Sequence, residues 1–424
     1  MLIRNARVID PANATDEIRD IFIDGGVIAG SGNSDGEIID AAGLIASPGL
    51  VDVHAHFRDP GQTEKETLHT GALAAAAGGY TSVVCMANTI PAVDSAAVLG
   101  SILERAAQED IHIYQTAALT EGRNGRMLTD MAGLKEAGAA GFTDDGSPVT
   151  DAGLVKKAMQ EAVRLDTVLS FHEEDPAYVW EAGINSGKVS ETMGIRGADR
   201  RAEYTMIERD LKLALDTGAR IDIQHVSARE SVELIRRYKA KDGRGLIHAE
   251  AAPHHFSLTE EAVTLKGSRA KVNPPLRTEE DRLAVAEGLS DGTLDLIATD
   301  HAPHTEEEKS REILKCPSGM VGLETALSLG ITKLVDAGHL TLFRLIELMS
   351  VNPARLYGIP AGDLSIGKPA DLVIFDPEAV WTVSEEDLHS KSKNTPFTGM
   401  TLHGRVRYTI SNGRIIYTGS STSV

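Results

Sequence analysis

Four histidines and two aspartates in this sequence have the residue types and settings of metal ligands. His54 and His56 close the run Leu50-Val51-Asp52-Val53-His54-Ala55-His56, which reads as a strand. Residues two apart on a strand point to the same side. Both imidazoles therefore project together from the strand's end, a geometry that can grip one ion. Arg58 continues the phase and reaches past them, and Pro60-Gly61 stop the strand. Two histidines at this spacing carry little weight alone, so the remaining ligands must come from elsewhere in the chain.

They come from the ends of other strand-like runs: Phe142-Thr143-Asp144-Asp145-Gly146, Phe171-His172-Glu173, Gln224-His225-Val226-Ser227 and Thr299-Asp300-His301-Ala302-Pro303-His304. Imidazole and carboxylate are preferred ligands of Zn2+ and its neighbours. His54, His56, Asp145, His172, His225 and Asp300 exceed what one tetrahedral ion needs. A pair of ions roughly 3.5–4 Å apart, bridged by a carboxylate and a hydroxide, would use them all. His54, His56 and Asp300 would hold the first ion, His172 and His225 the second, with Asp145 between. Each subunit would thus carry one or two Zn2+. Any of these histidines alone is more plausibly an ordinary core or surface residue. Their joint placement at strand ends is the specific feature.

The elements that must position these groups alternate. Strand-like apolar runs recur at 49–57, 80–86, 113–118, 139–144, 168–173, 220–226, 247–253 and 296–301. Segments such as 67–77, 152–165, 203–215 and 229–238 have helical apolar spacing. Eight such units fit a (β/α)8 TIM barrel, an α/β fold whose catalytic groups sit at the C-terminal ends of the strands. An open doubly wound sheet is the runner-up, but no GxGxxG or P-loop pattern opens any unit. Both ends of the chain read as β: Gly25-Gly26 and Asn412-Gly413 mark hairpins, and Ala370 to Asp376 is a strand. Neither end has enough strands to bury a core alone. The expected organisation is a small β-sandwich domain built from 1–47 plus 360–424, around a barrel at 48–359.

Composition narrows the class further. The chain has 42 Lys plus Arg against 62 Asp plus Glu, a net charge of -20, which argues against nucleic acid or an anionic membrane as a partner. Two cysteines, Cys85 and Cys316, are too few for a disulfide framework and suit a reducing cytoplasm. The first residues lack a signal-peptide core. No apolar run approaches the ~20 residues needed to span a bilayer.

Taken together, His54-Ala55-His56-Phe57-Arg58-Asp59-Pro60-Gly61, Met86-Ala87-Asn88-Thr89, Phe142-Thr143-Asp144-Asp145-Gly146, Gln224-His225-Val226-Ser227, Pro253-His254-His255, Val272-Asn273-Pro274-Pro275-Leu276-Arg277 and Ala298 to His304 resemble motifs of the amidohydrolase superfamily, and within it the dihydroorotases of pyrimidine biosynthesis. The resemblance covers nearly the whole chain. It implies a zinc-dependent cyclic amide hydrolase that interconverts N-carbamoyl-L-aspartate and (S)-dihydroorotate. A metal-bound hydroxide would attack the ring amide, and Asp300 would shuttle its proton to the leaving nitrogen. Arg58, Asn88 and His304 would hold the substrate's free carboxylate. Asn273, the backbone of Ser318-Gly319, and His56 would also contact the substrate. The resemblance further allows for a homodimer and for a complex with aspartate transcarbamoylase.

Hydantoinases, dihydropyrimidinases, allantoinases and many dihydroorotases bridge their metals with a carboxylated lysine. Phe142 to Gly146 contains no lysine, which resembles a bacterial dihydroorotase class with aspartate in that place. Strand phase leaves Asp144 and Asp145 both open; the distance to His172 resembles that class for Asp145. Two alternatives stand beside the dihydroorotase reading. One is a hydantoinase-type cyclic amidase, against which Arg58 with Asn88 argues. The other is a non-catalytic scaffold for aspartate transcarbamoylase, against which the complete ligand set argues. His254 and His255 are expected to orient neighbours or to pack, and His301 to be structural; the sequence leaves open whether 305–318, with its charged run between His304 and Ser318-Gly319, is a lid or a solvated loop.

Overall fold

The computed structural model describes residues 1–31 and 36–419. Five strands come first: β1 (Leu2–Asp10), β2 (Thr15–Asp24), β3 (Val27–Ala29), β4 (Ile38–Asp40) and β5 (Ile45–Pro48). Seven follow in the central region: β6 (Leu50–Ala55), β7 (Tyr80–Cys85), β8 (His112–Gln115), β9 (Leu169–Phe171), β10 (Ile221–Ile223), β11 (Ile247–Ala251) and β12 (Leu296–Ile297). The chain closes with β13 (Leu372–Thr382), β14 (Thr401–Ser411) and β15 (Arg414–Thr418).

The central strands form two parallel sheets, β6-β7-β8 and β9-β10-β11-β12. Single parallel bridges join them at both seams. Phe142 pairs with Ala117 on one side and Leu169 on the other, while Ala55 pairs with His301. At the first seam Thr143 N donates to Ala117 O at 2.9 Å and Ser170 N to Phe142 O at 3.0 Å; at the second, His56 N donates to His301 O at 2.9 Å. The ring is therefore complete, which excludes the open sheet. The run around 139–144 contributes one paired residue instead of a full strand. Beyond it the Asp144 carboxylate accepts from Leu119 N and Thr120 N.

Strand β6 shows how the barrel aims its groups. All six residues are buried. Val51 and Val53 pack in one apolar cluster with Val84, Val168, Leu296 and Ala298 of other strands and with Leu356 and Ile359. The pairing with β7 shifts register between Asp52 and Ala55, a bulge that falls at Val53 and His54. Asp52, at 0% exposure, accepts from Thr299 N at 2.9 Å, Thr299 Oγ1 at 2.5 Å and His54 N at 3.2 Å. This ties the first strand to the eighth directly beneath the site. Burial raises the Asp52 pKa to about 6.

Helices cover the outside as the apolar spacing requires. Helix Leu68–Ala77 begins at a Thr67–Thr70 capping box and stops at Gly78-Gly79. A Cβ on Gly78 would stand 2.2 Å from Leu323 O. Helix Ala152–Arg164 is capped by Asp151, whose carboxylate accepts from Gly153 N and Leu154 N. Among the described residues no helix is long and apolar enough to cross a membrane.

The terminal strands join in one sheet, ordered β15-β14-β13-β5-β1-β2-β3. It forks at β1, which pairs with β4 through residues 2–4 and with β5 through residues 7–8. Ile3, Val8, Ile21, Ile23, Ile39, Leu372, Ile374 and Ile410 form a separate apolar core within it. Residues 32–35 and 420–424 of the two expected terminal segments lie outside the described residues.

Candidate metal centre

The six ligand candidates converge. Asp145 stands at the middle, with Oδ1 3.5 Å from His54 Nε2, 3.5 Å from His172 Nδ1 and 3.9 Å from His225 Nε2. Its Oδ2 is 3.6 Å from His56 Nε2. Asp300 Oδ1 lies 3.1 Å from His56 Nε2 and 3.7 Å from His54 Nε2. Two sets have ligand atoms all within 4.8 Å of one another: His54, His56, Asp300 and His54, Asp145, His225. The first matches the trio expected for one ion. In the second, His54 rather than His172 completes the group, although His172 Nδ1 faces His225 Nε2 at 2.9 Å.

The strand-phase ambiguity between the aspartates has a geometric answer. Asp144 accepts from Leu119 N, Thr120 N and the Thr120 hydroxyl, and so is turned away. Asp145 alone meets the histidines.

The imidazoles are presented with defined nitrogens. His54 Nδ1 donates to Glu250 Oε2 at 3.0 Å, which turns Nε2 toward the centre. The same Glu250 oxygen accepts from His225 N at 3.4 Å. His56 Nδ1 pairs with Asn88 Oδ1 at 2.9 Å, while Asn88 Nδ2 donates to Asp145 Oδ2 at 3.1 Å. His172 Nε2 donates to Glu174 Oε2 at 3.1 Å, leaving Nδ1 inward. Outer carboxylate or amide partners of this kind fix the tautomer and raise the basicity of a metal-bound imidazole. His54 Nε2, buried, has no hydrogen-bond partner among the described residues. A buried imidazole nitrogen without a partner beside two carboxylates, and two further imidazole nitrogens sharing one proton at 2.9 Å, are a donor set that a divalent cation satisfies.

Electrostatics agree. Burial works against charge on His54, but Glu250 and Asp145 outweigh it and raise the pKa well above the usual value. Burial likewise opposes His172, yet hydrogen bonds to Asp145 and Glu174 lift it to about 9. Burial would raise Asp145, but His54, His172 and His225 hold it well below the carboxylate range. The centre concentrates negative charge and draws in protons, as it would draw a metal ion.

Three residues here carry left-handed backbone: Arg58 at φ 57°, His225 at φ 33° and Asp300 at φ 48°. Such conformations cost of order 1–3 kcal/mol in non-glycine residues and cluster at functional sites. Glu250 on the His225 amide and Asp52 on strand eight help to enforce them.

A cavity of about 200 Å3 opens beside the cluster. Its lining includes every residue expected to touch substrate: His56, Arg58, Asn88, Asn273, His304, Ser318 and Gly319. Asn88 spans His56 and Asp145, so its amide also positions ligands. His304 Nε2 donates to Ser318 O at 2.9 Å, and its Nδ1 faces Glu308 Oε2 at 3.3 Å. Burial, with Arg58 and Lys65 nearby, lowers His304 to about 3, so the ring is neutral. Arg58 Nε donates to Pro303 O at 3.3 Å. His255 Nε2 bonds Pro274 O at 3.0 Å, and His301 bridges Glu66 Oε2 and Gly322 N, both away from the centre.

Sequence reading missed Glu250 and Glu174. The signal for Glu250 was a carboxylate within the apolar strand run 247–253; for Glu174, its i+2 spacing from His172. Replacing Glu250 with Gln keeps the shape but removes the charge behind His54. We expect metal affinity to fall about 10–100-fold, with turnover recovered at high metal concentration. Chelator competition checks this; wild-type affinity in Glu250→Gln would show that the contact does not tune the centre.

A barrel that gathers His and Asp side chains at its strand ends, in groups that could hold a metal ion, has the layout of a metal-dependent hydrolase. The amidohydrolase family model matches residues 45–416, and the chain belongs to that family. Among its curated relatives, "Dihydroorotase" from Clostridioides difficile is 51% identical over 422 residues, covering 98% of this chain and 99% of that protein. The protein of that name from Lactococcus lactis is 50% identical over 421 residues, with the same coverage. Among solved structures, L-hydantoinase (dihydropyrimidinase) from Arthrobacter aurescens superposes with a TM-score of 0.88 at 26% identity, covering 100% of this chain and 97% of that one.

Proposed function

We propose that the chain is a dihydroorotase, which opens (S)-dihydroorotate to N-carbamoyl-L-aspartate and closes it again. The observation that carries the reading is the placement of Arg58 on the same 200 Å3 cavity as His56, Asp145 and Asp300. A small cyclic amide bearing a carboxylate needs that pairing: a cation for the acid and a hydrolytic centre for the amide. Near-full-length identity to dihydroorotases supports it.

A divalent ion, zinc by ligand type, would be held by His54, His56 and Asp300, with Asp145 bridging to a second site at His172 and His225. When bound, it supplies Lewis acidity toward the amide carbonyl and lowers the pKa of water. The chain's own groups do the rest. Arg58 forks onto the substrate carboxylate, a bidentate geometry suited to guanidinium. Asn273 and the Ser318–Gly319 backbone bracket the ring. Asp300 accepts the proton of the attacking water and returns it to the leaving ring nitrogen. Burial would raise its pKa, but His56 and His54 hold it far below the usual range, so it is an anion at neutral pH.

Loss of dihydroorotate absorbance, with and without chelator and with hydantoin as control, tests the reading. Activity on dihydroorotate that chelation removes supports it. Activity on hydantoin alone would favour the cyclic amidase reading that the structural neighbours suggest, and no activity with any added metal or with aspartate transcarbamoylase would favour a scaffold. Arg58→Ala should raise KM at least about 30-fold, the loss expected from about 2 kcal/mol for one partner of a charge pair. A KM within a few-fold of wild type would remove Arg58 from the carboxylate site.

A further inference from the structure

The cavity wall that carries Ser318 and Gly319 is fastened from behind by two buried ammonium groups. Lys271 and Lys309 are each 3% exposed. Lys309 Nζ donates to Pro317 O and Gly319 O, both at 3.0 Å. Lys271 Nζ donates to Ile313 O at 2.8 Å and Cys316 O at 3.2 Å, with Glu181 Oε1 at 3.3 Å. The Lys271 carbonyl in turn accepts from Gly319 N at 2.8 Å. With His304 on Ser318 O, cationic or N–H side chains hold five carbonyls between 313 and 319.

Burying a charge is costly unless hydrogen bonds replace its water. An apolar side chain of similar length would fill either position without that cost. The two charges therefore make sense only if the carbonyl cage is formed, which specifies one conformation of the loop. Gly319 completes it: at φ 132°, an added Cβ would stand 2.8 Å from Ala302 Cβ and 3.1 Å from His304 Cδ2.

We propose that Lys271 and Lys309 are positioning residues that hold the Ser318–Gly319 peptide as a preformed wall of the substrate cavity, so that binding a cyclic amide requires no loop ordering. Preorganisation of this kind improves affinity by removing an ordering cost. The inference rests on the dihydroorotase reading for its substrate, and on the geometry alone for the loop. Cys316, Lys271, Glu308, Arg269 and His304 surround Lys309. Burial lowers its pKa to about 8. The ammonium is intact below that pH and is lost above it, so the grip weakens toward pH 9.

The test uses the full chain with Lys309→Met and Lys271→Met. Lys315, its side chain 72% exposed, provides a trypsin site in the held segment, and Arg311, 49% exposed, one just before it. Both variants should be cut there about tenfold faster, and KM for dihydroorotate should rise about tenfold with kcat nearly unchanged, the pattern of lost uniform binding. In the wild type, cleavage normalised to a free peptide should quicken between pH 7 and 9. Wild-type cleavage and KM in both variants would overturn the proposal. If neither variant folds, Lys309→Gln and Lys271→Gln are judged by the same two measurements, and wild-type cleavage and KM in them overturn it. If wild type leaves dihydroorotate untouched, the functional reading fails, while the cleavage arm still judges the clamp.

Discussion

Asp300→Ala should lower kcat for dihydroorotate by about 10⁴-fold, the upper end of what one acid–base group supplies, because the same carboxylate also sits among the metal candidates. Its Oδ1 lies 3.1 Å from His56 Nε2 and 3.7 Å from His54 Nε2. Its backbone at φ 48° is held between Thr299, bonded to Asp52, and His301, bonded to Glu66. The side chain is thereby fixed at the cavity floor as an anion. Asp300→Asn separates its two duties. The amide keeps one oxygen for a metal but cannot accept the proton, so metal content should fall less than in the alanine variant while turnover stays lost. Stopped-assay kinetics with elemental analysis of both proteins check this. A rate in Asp300→Ala within tenfold of wild type would remove the proton shuttle.

The barrel was legible because its parallel strands are buried on both faces, so they read as dense apolar runs with chemistry only at their ends. His54, His56, His172, His225 and Asp300 stood out as polar groups terminating such runs. The fourth unit was less legible: its strand reduces to bridges at Phe142, and of its two aspartates only the contacts across strands, Asp144 on the 119–120 backbone and Asp145 among the histidines, tell the roles apart. Glu250 and Glu174 were invisible for another reason. Their role depends on which imidazole nitrogen they face across strands, a distance that sequence spacing does not encode. Lys271 and Lys309 carry no signal in the sequence, since burial on backbone carbonyls leaves no pattern there.

The two adjacent aspartates offer the sharpest contrast within this site. Asp145→Asn should weaken metal binding by more than about a hundredfold, beyond the 10–100-fold typical of an outer partner, because Asp145 approaches all four histidines. Asp144→Asn should leave metal content near wild type, since its contacts are with Leu119 and Thr120. The chelated proteins differ too. With its folded pKa raised to about 9, His172 stabilises the fold fully below its ordinary value near 6.5, and that contribution fades as pH rises through 9. Asp145 is the first of the partners that lift it. Chelated wild type should therefore lose Tm between pH 6.5 and 9, and chelated Asp145→Asn should show a flatter profile over that range. Calorimetric scans at fixed ionic strength measure both. Equal metal affinity in Asp144→Asn and Asp145→Asn, or parallel pH profiles, would mean that Asp145 neither bridges the centre nor carries its charge.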